Sequence, residues 1–350
     1  REVELKRVNL KFPFNLEILD LEIKDLANIK YLYLSPSLLG FLSGRPAFNE
    51  IRLERAEINF SRGSPSIEEK KESNVETEIT FNLKRPPLEA IFKRIEFKNL
   101  DINFVDYNVD PKGFKLILKD LFLSIENLVL FPVSIITNFS LKGKIPWATD
   151  ISGGEIEFVG WVNFYKKDIQ AHLEINNIDG VYFWPYYRRW IDIEKARIQK
   201  ACLNFKSDIM GLNNDLIANC KLELSEIVFK PKPQEEPEDK AYQIAKNILE
   251  ILRTIDEDKV SLNFTIHTQM DKFKFNFENI RIAFENKISE GIKSKKIDSQ
   301  SLLVLPTDFL KSAIKGTTEV TKIFIESTLE VGKTIKDVLI GPFKKDKEQQ

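Results

Sequence analysis

Glu155-Ile156-Glu157-Phe158-Val159-Gly160 and Ile169-Gln170-Ala171-His172-Leu173-Glu174-Ile175 decide how this chain is read. In the first, Ile156, Phe158 and Gly160 fall on one side and Glu155, Glu157 and Val159 on the other. In the second, Ile169, Ala171, Leu173 and Ile175 alternate with Gln170, His172 and Glu174. A period of two sends successive side chains to opposite faces, so both stretches predict half-buried antiparallel strands. An aromatic run, Gly180-Val181-Tyr182-Phe183-Trp184-Pro185-Tyr186-Tyr187-Arg188-Arg189-Trp190, follows them. It is long enough for a short helix, either plugging a sheet end or placing Trp and Tyr at a membrane interface.

Outward from this centre the same alternation recurs. It predicts strands over 3–12, 15–23, 29–34, 51–60, 77–83, 91–107, 114–128, 133–142, 260–268 and 273–284. A short helix is expected near 37–43, where a serine, an early proline and a closing glycine punctuate the chain. A helical turn is expected at 88–92, after Pro86-Pro87. Residues 61–76 read as a polar loop and 231–240 as a Pro/Glu linker. Ile244, Ala245, Ile248, Leu249, Ile251 and Leu252 recur at helical spacing and predict an amphipathic helix. A second and longer one is predicted over 307–340, where an apolar stripe faces a mixed-charge side. About 33 residues of helix would run roughly 50 Å. It lies on a membrane surface, on the protein's own sheet, or against another copy. The segments 1–62, 77–230, 241–286 and 306–341 are the expected organisational units.

Composition bounds the function. The 350 residues carry a formal net charge of −1, so no overall basic field recruits nucleic acid. There are 26 Phe and only 14 Gly, a balance that suits long strands with few tight turns. Two Cys and two His leave little for metal chemistry. Cys202 shares a side with Asn204 while Cys220 shares one with Ala218, Leu222 and Leu224, so the predicted faces oppose a bridge between them. His172 and His267 are isolated. No phosphate-cradling glycine loop, His-Glu-x-x-His, Gly-x-Ser-x-Gly or Cys-x-x-Cys occurs, and the expectation is a protein without catalytic, metal or cofactor residues. No stretch of about 20 uncharged apolar residues predicts a membrane-crossing helix.

Several stretches together resemble the AsmA-like superfamily of bacterial envelope proteins. They are Ile29-Lys30-Tyr31-Leu32-Tyr33-Leu34-Ser35-Pro36-Ser37-Leu38-Leu39, Gly44-Arg45-Pro46 leading to Ile51-Arg52-Leu53-Glu54, and Ile95-Glu96-Phe97-Lys98-Asn99-Leu100-Asp101-Ile102. Trp184-Pro185-Tyr186-Tyr187, Asn213-Asn214-Asp215-Leu216 and the helix-to-strand passage 244–264 fit the same order. The resemblance implies a mainly β fold: a long twisted antiparallel sheet forming an open groove, short capping helices and the long C-terminal amphipathic helix. It also implies non-enzymatic binding or conduction of phospholipid between the inner and outer membranes, in the periplasm. Any inner-membrane anchor would lie in a segment outside this sequence. On that reading Leu100, Ile102, Phe104, Leu116, Leu118, Phe158, Leu203, Phe205, Leu222, Leu224, Phe273, Phe275 and Phe277 line the groove. Two alternatives stay open: a closed β-sandwich core filled by the same side chains, and an envelope scaffold that binds a protein partner or itself rather than lipid.

Overall fold

A computed structural model describes residues 2–42, 44–63, 78–82, 89–147, 153–187, 197–231, 259–276, 279, 280, 282, 283, 286 and 287. One compact unit comprises Arg1–Pro237 with Lys259–Arg281; the other, Glu238–Asp258 with Ile282–Gln350, falls almost wholly outside the described residues. The amphipathic helices expected at 241–255 and 307–340 therefore lie outside them, as does Phe277.

Among the described residues fourteen strands form one sheet. In chain order they are β1 (Val3–Lys11), β2 (Asn15–Ile23), β3 (Ala27–Pro36), β4 (Ala47–Arg62), β5 (Glu78–Asn82), β6 (Ile91–Asp106) and β7 (Phe114–Val129). After these come β8 (Thr137–Ile145), β9 (Gly154–Asn163), β10 (Asp168–Asp179), β11 (Ile198–Leu212), β12 (Asp215–Phe229), β13 (Val260–Gln269) and β14 (Lys272–Asn276). Among the described residues the short helices α1 (Leu38–Leu42) and α2 (Trp184–Tyr187) sit in connections between strands. Spatial order follows the chain with one exception. β5 leaves its place between β4 and β6 and pairs with β14, so β4 and β6 meet in parallel over their full length, from Ala47↔Ile91 to Arg62↔Asp106. The edges are β1 and β5, and the sheet is open. Among the described residues there is no second sheet, so the closed-sandwich alternative is not what these strands build.

That excursion constrains the curvature. Asn82 at the end of β5 and Ile91 at the start of β6 are nine residue steps apart and stand at the same end of the sheet. Nine extended steps reach at most about 32 Å. Nine strand spacings of a flat sheet would hold them about 43 Å apart. The sheet between β6 and β5 is therefore curled.

A row of strand irregularities adds a bend. Asp20, Arg55, Asn99 and Asp120 take positive φ of 51°, 52°, 53° and 52° in the middle of β2, β4, β6 and β7. Each sits in an apolar–x–polar–apolar step such as Phe97-Lys98-Asn99-Leu100, and the β6–β7 register shifts there. An extra residue bends its strand and increases local twist, and here it also returns the next apolar side chain to the same face. The row is stitched by Lys6 and Lys30, which flank Asp20 at 3.7 and 3.4 Å. Beside it lies a buried cluster of Ala27, Ile29, Ala56, Leu100 and Leu121. Leu121 is fully enclosed and fills the space above Gly143, where a Cβ would stand 2.2 Å from its Cδ2.

Two expectations need correction. At 88–92, Ile91 and Phe92 open β6 instead of a helical turn, because they have strand partners on both sides, Ala47 and Phe48 against Val129 and Leu128. The strand expected over 273–284 stops at Asn276, opposite the first residue of the five-residue β5. Glu78 is the first described residue of β5, so among the described residues Asn276 is the last with a strand partner, and positions 279, 280, 282, 283, 286 and 287 are helical.

Candidate functional site

Strand register sorts the side chains into two faces. One transverse line runs Leu53–Phe97–Leu123–Leu141–Phe158–Leu173–Ser207–Cys220–Phe264 through nine neighbouring strands, each residue opposite the next. The line beside it on the other face runs Arg52–Glu96–Ser124–Ser140–Val159–His172–Asp208–Asn219–Thr265. From β4 to β13 one face is mainly apolar and the other mainly polar.

The structure brings the described sequence-predicted positions onto that one apolar face. Ile102 stands opposite Leu118 and Phe104 opposite Leu116. Leu203 faces Leu224 and Phe205 faces Leu222. Leu100 is buried in the cluster with Leu121, and Ile102 packs against it. Phe158 meets Phe139 with ring centroids 4.8 Å apart, and Phe104 meets Phe60 at 5.0 Å. Phe205 and Phe273 pack on a second buried cluster built from Val162, Leu216, Ala218, Cys220, Ile266 and Met270. Phe275 lies in β14, but its side chain is outside the described residues. Except for Leu100, the described members of the set are half-buried, not enclosed. The sequence reading missed Leu121, Leu141, Ile156 and Phe139, which belong to the same surface. Ile156 already alternates onto the side of Phe158, Phe139 and Leu141 alternate with Ser140, and at Leu121 the polar residue at the bulge, Asp120, breaks the alternation by one and resets the face.

The end of the sheet at Phe114 is closed off by the aromatic connector after β10. Asp179 Oδ1 accepts from the backbone N–H groups of Val181 and Tyr182, fixing the turn. The rings of Tyr182 and Phe183 then stand 5.0 and 5.5 Å from that of Phe114, and the Tyr182 hydroxyl donates to the Lys115 carbonyl. Trp147 Nε1 donates to the Asn177 carbonyl at 2.6 Å. Tyr182 and Phe183 thus pack on the end of β7, and positions 188–190 of the aromatic run lie outside the described residues.

The polar face is a lattice of ion pairs. Glu174 accepts from Lys206 at 2.6 Å and from Asn176 at 2.9 Å, and these bonds, with Lys206 the larger influence, hold its carboxyl down at about 2. His172 meets Asp208 at 2.7 Å, which raises its pKa above the usual 6.5. Tyr31 is pushed up to about 12, first by burial and then by its bond to Glu17. Arg52 lies among Glu50, Glu54 and Glu96. Pairing within the lattice shifts Glu174 and His172, and burial followed by pairing shifts Tyr31. Cys202 and Cys220 are both buried free thiols, raised by that burial. Cys220 faces Ser207 on the apolar side, and Cys202 reaches Asn177 Oδ1.

Among the described residues no group of three or more His, Cys, Asp or Glu is placed to hold a metal ion, and no helix is long and apolar enough to cross a membrane. No family model, curated protein or solved structure matches the chain.

Proposed function

We propose that this chain is a non-enzymatic lipid-binding protein of a bacterial envelope. It holds phospholipid acyl chains along the apolar face of its curled sheet, which on this reading forms an open groove. One observation carries the proposal: a single face stays mainly apolar through all the neighbouring strands from β4 to β13, yet most of its large side chains are only half-buried. Folding alone would favour covering such a face, and an acyl chain can complete the burial at about 0.8 kcal/mol per methylene. The curl forced by the short passage from β5 to β6 supports a concave surface. The resemblance to AsmA-like proteins supports the same occupant and a periplasmic location.

The experiment is native mass spectrometry with lipid extraction on the full chain, together with titration by a fluorescent fatty acid delivered from cyclodextrin. Bound phospholipid that competes with the fatty acid is expected. Phe104→Asp and Phe158→Asp, which place a carboxylate on the apolar face, should lower uptake at least about tenfold, with the far-UV spectrum of the sheet retained. Lipid-free protein that takes up no fatty acid would end the reading without appeal to any variant.

A second reading, an envelope scaffold, is favoured by the β1 edge. Val3, Leu5, Val8 and Leu10 are exposed beside an edge backbone that can accept another strand. A stoichiometric protein partner lost on Val8→Pro, with no lipid bound, would establish it.

A further inference from the structure

The two ends of the strands differ. At the Phe114 end the fully described connections β2–β3 and β6–β7 carry the carboxylates Asp25 and Asp110. Described apolar side chains at that end turn inward, as Val109 and the Tyr182–Phe183 pair do. At the opposite end, five connections (β1–β2, β3–β4, β7–β8, β9–β10 and β11–β12) carry Arg45, Lys166 and Lys167 and no carboxylate. Each presents large apolar side chains to solvent at its tip or on the strand entering it. Phe12 is 96% exposed, Leu39 81%, Leu42 83% and Leu212 66%, with Ile136 and Tyr165 exposed beside them. Carboxylates at this end come from the neighbouring β5–β6 and β13–β14 connections, where Glu89 and Asp271 pair with Arg45 and Lys167, and from the first residues of β10 and β12, where Asp168 accepts from the Asn213 backbone N–H and Asp215 is exposed. Lys166 is exposed.

We infer that this rim is a membrane-docking edge that inserts its hairpin tips into the surface of a phospholipid bilayer. The tips form a line of separate points, one to three apolar residues each, spread over roughly 40 Å of sheet. A bilayer interface accepts many shallow insertions at once, with Arg45, Lys166 and Lys167 at the headgroup level. A protein partner would need one continuous patch, and polar strand residues interrupt this one. The inference stands apart from the lipid-binding face: it concerns the rim, and holds whatever that face carries.

The test is flotation of the full chain with vesicles of phosphatidylcholine containing phosphatidylglycerol. Wild-type protein should float, and Phe12→Ser/Leu39→Ser/Leu42→Ser should reduce the bound fraction at least about tenfold. Ile117→Ser/Val228→Ser, exposed apolar positions away from this rim, should float like wild type. An environment-sensitive dye on Leu39→Cys or Leu212→Cys should brighten on vesicles, and on Val228→Cys it should not. Absence of flotation overturns the inference. So does flotation undiminished by the tip substitutions, which would put the contact elsewhere in the chain, or equal brightening at Val228. Fatty acid uptake from cyclodextrin should survive the tip substitutions. If uptake fails while flotation remains, only the groove proposal falls.

Discussion

Replacing Gly143 with Ala should destabilise the sheet although its backbone conformation accepts any residue. A glycine in a strand normally weakens it, so alanine alone would bring roughly 0.5–1 kcal/mol. Here the new Cβ would stand 2.2 Å from Cδ2 and 3.2 Å from Cγ of Leu121, a side chain with no exposed surface. Leu121 must leave its rotamer inside a filled cluster, at a cost of about 1–3 kcal/mol, so the net loss is about 0–2.5 kcal/mol. Leu121→Ala should lose about 3 kcal/mol as a buried truncation. In the double variant the Cβ at 143 enters space that the leucine has vacated, and the two losses should sum to less than their parts by about 1–2 kcal/mol. Urea unfolding followed by far-UV circular dichroism on all four proteins gives the cycle. Additivity within about 0.5 kcal/mol, or a stabilising Gly143→Ala, would refute the packing described at this bend.

Other expectations follow from the same side chains. The Glu174 carboxyl is held at about 2 against its usual 4.5, chiefly by Lys206, so its stabilisation is present above pH 4.5 and is lost as pH falls toward 2. Lys206→Met should flatten that acid limb of the urea midpoint. His172 is shifted the other way by Asp208, so its contribution is complete below pH 6.5 and fades as pH rises through its higher folded value. His172→Gln should remove that alkaline decline, which will be small for a side chain 42% exposed. Asn99 at φ 53° should tolerate glycine, whereas Asn99→Val should cost about 1–2 kcal/mol in the same unfolding assay. Both thiols should resist a disulfide reagent in the native protein and react together on unfolding, given their burial and raised pKa.

Much of the sheet was legible because alternation is a local property. β2 matches its expected bounds, and β6, β7 and β13 end within two residues of theirs. The common side of Leu100, Ile102 and Phe104 could also be read directly. Pairing partners could not. Nothing within Glu78-Ile79-Thr80-Phe81-Asn82 says that it belongs beside β14, and without that knowledge the parallel meeting of β4 and β6 is invisible. Helix signals misled at 88–92, where strand partners on both sides outweigh a preceding Pro-Pro. The bulges were written in the sequence as skipped beats, but a skipped beat reads equally well as the end of a strand. The exposed rim escaped notice because exposure is set by where a hairpin points, which composition does not encode.

The displacement of β5 has a consequence for biosynthesis. Its partner β14 emerges from the ribosome about 190 residues later, a wait of roughly 10–40 seconds at 5–20 residues per second. Through that interval a β-prone pentapeptide has no native neighbour. Its flanks suit the wait: Glu68-Glu69-Lys70-Lys71-Glu72 and Glu76 precede it, and Lys84-Arg85-Pro86-Pro87 follows, charges and prolines that discourage pairing with the wrong strand. The last strand of the sheet thus completes an edge whose other half was translated early, so a nascent chain truncated before β14 would carry β5 as an orphan.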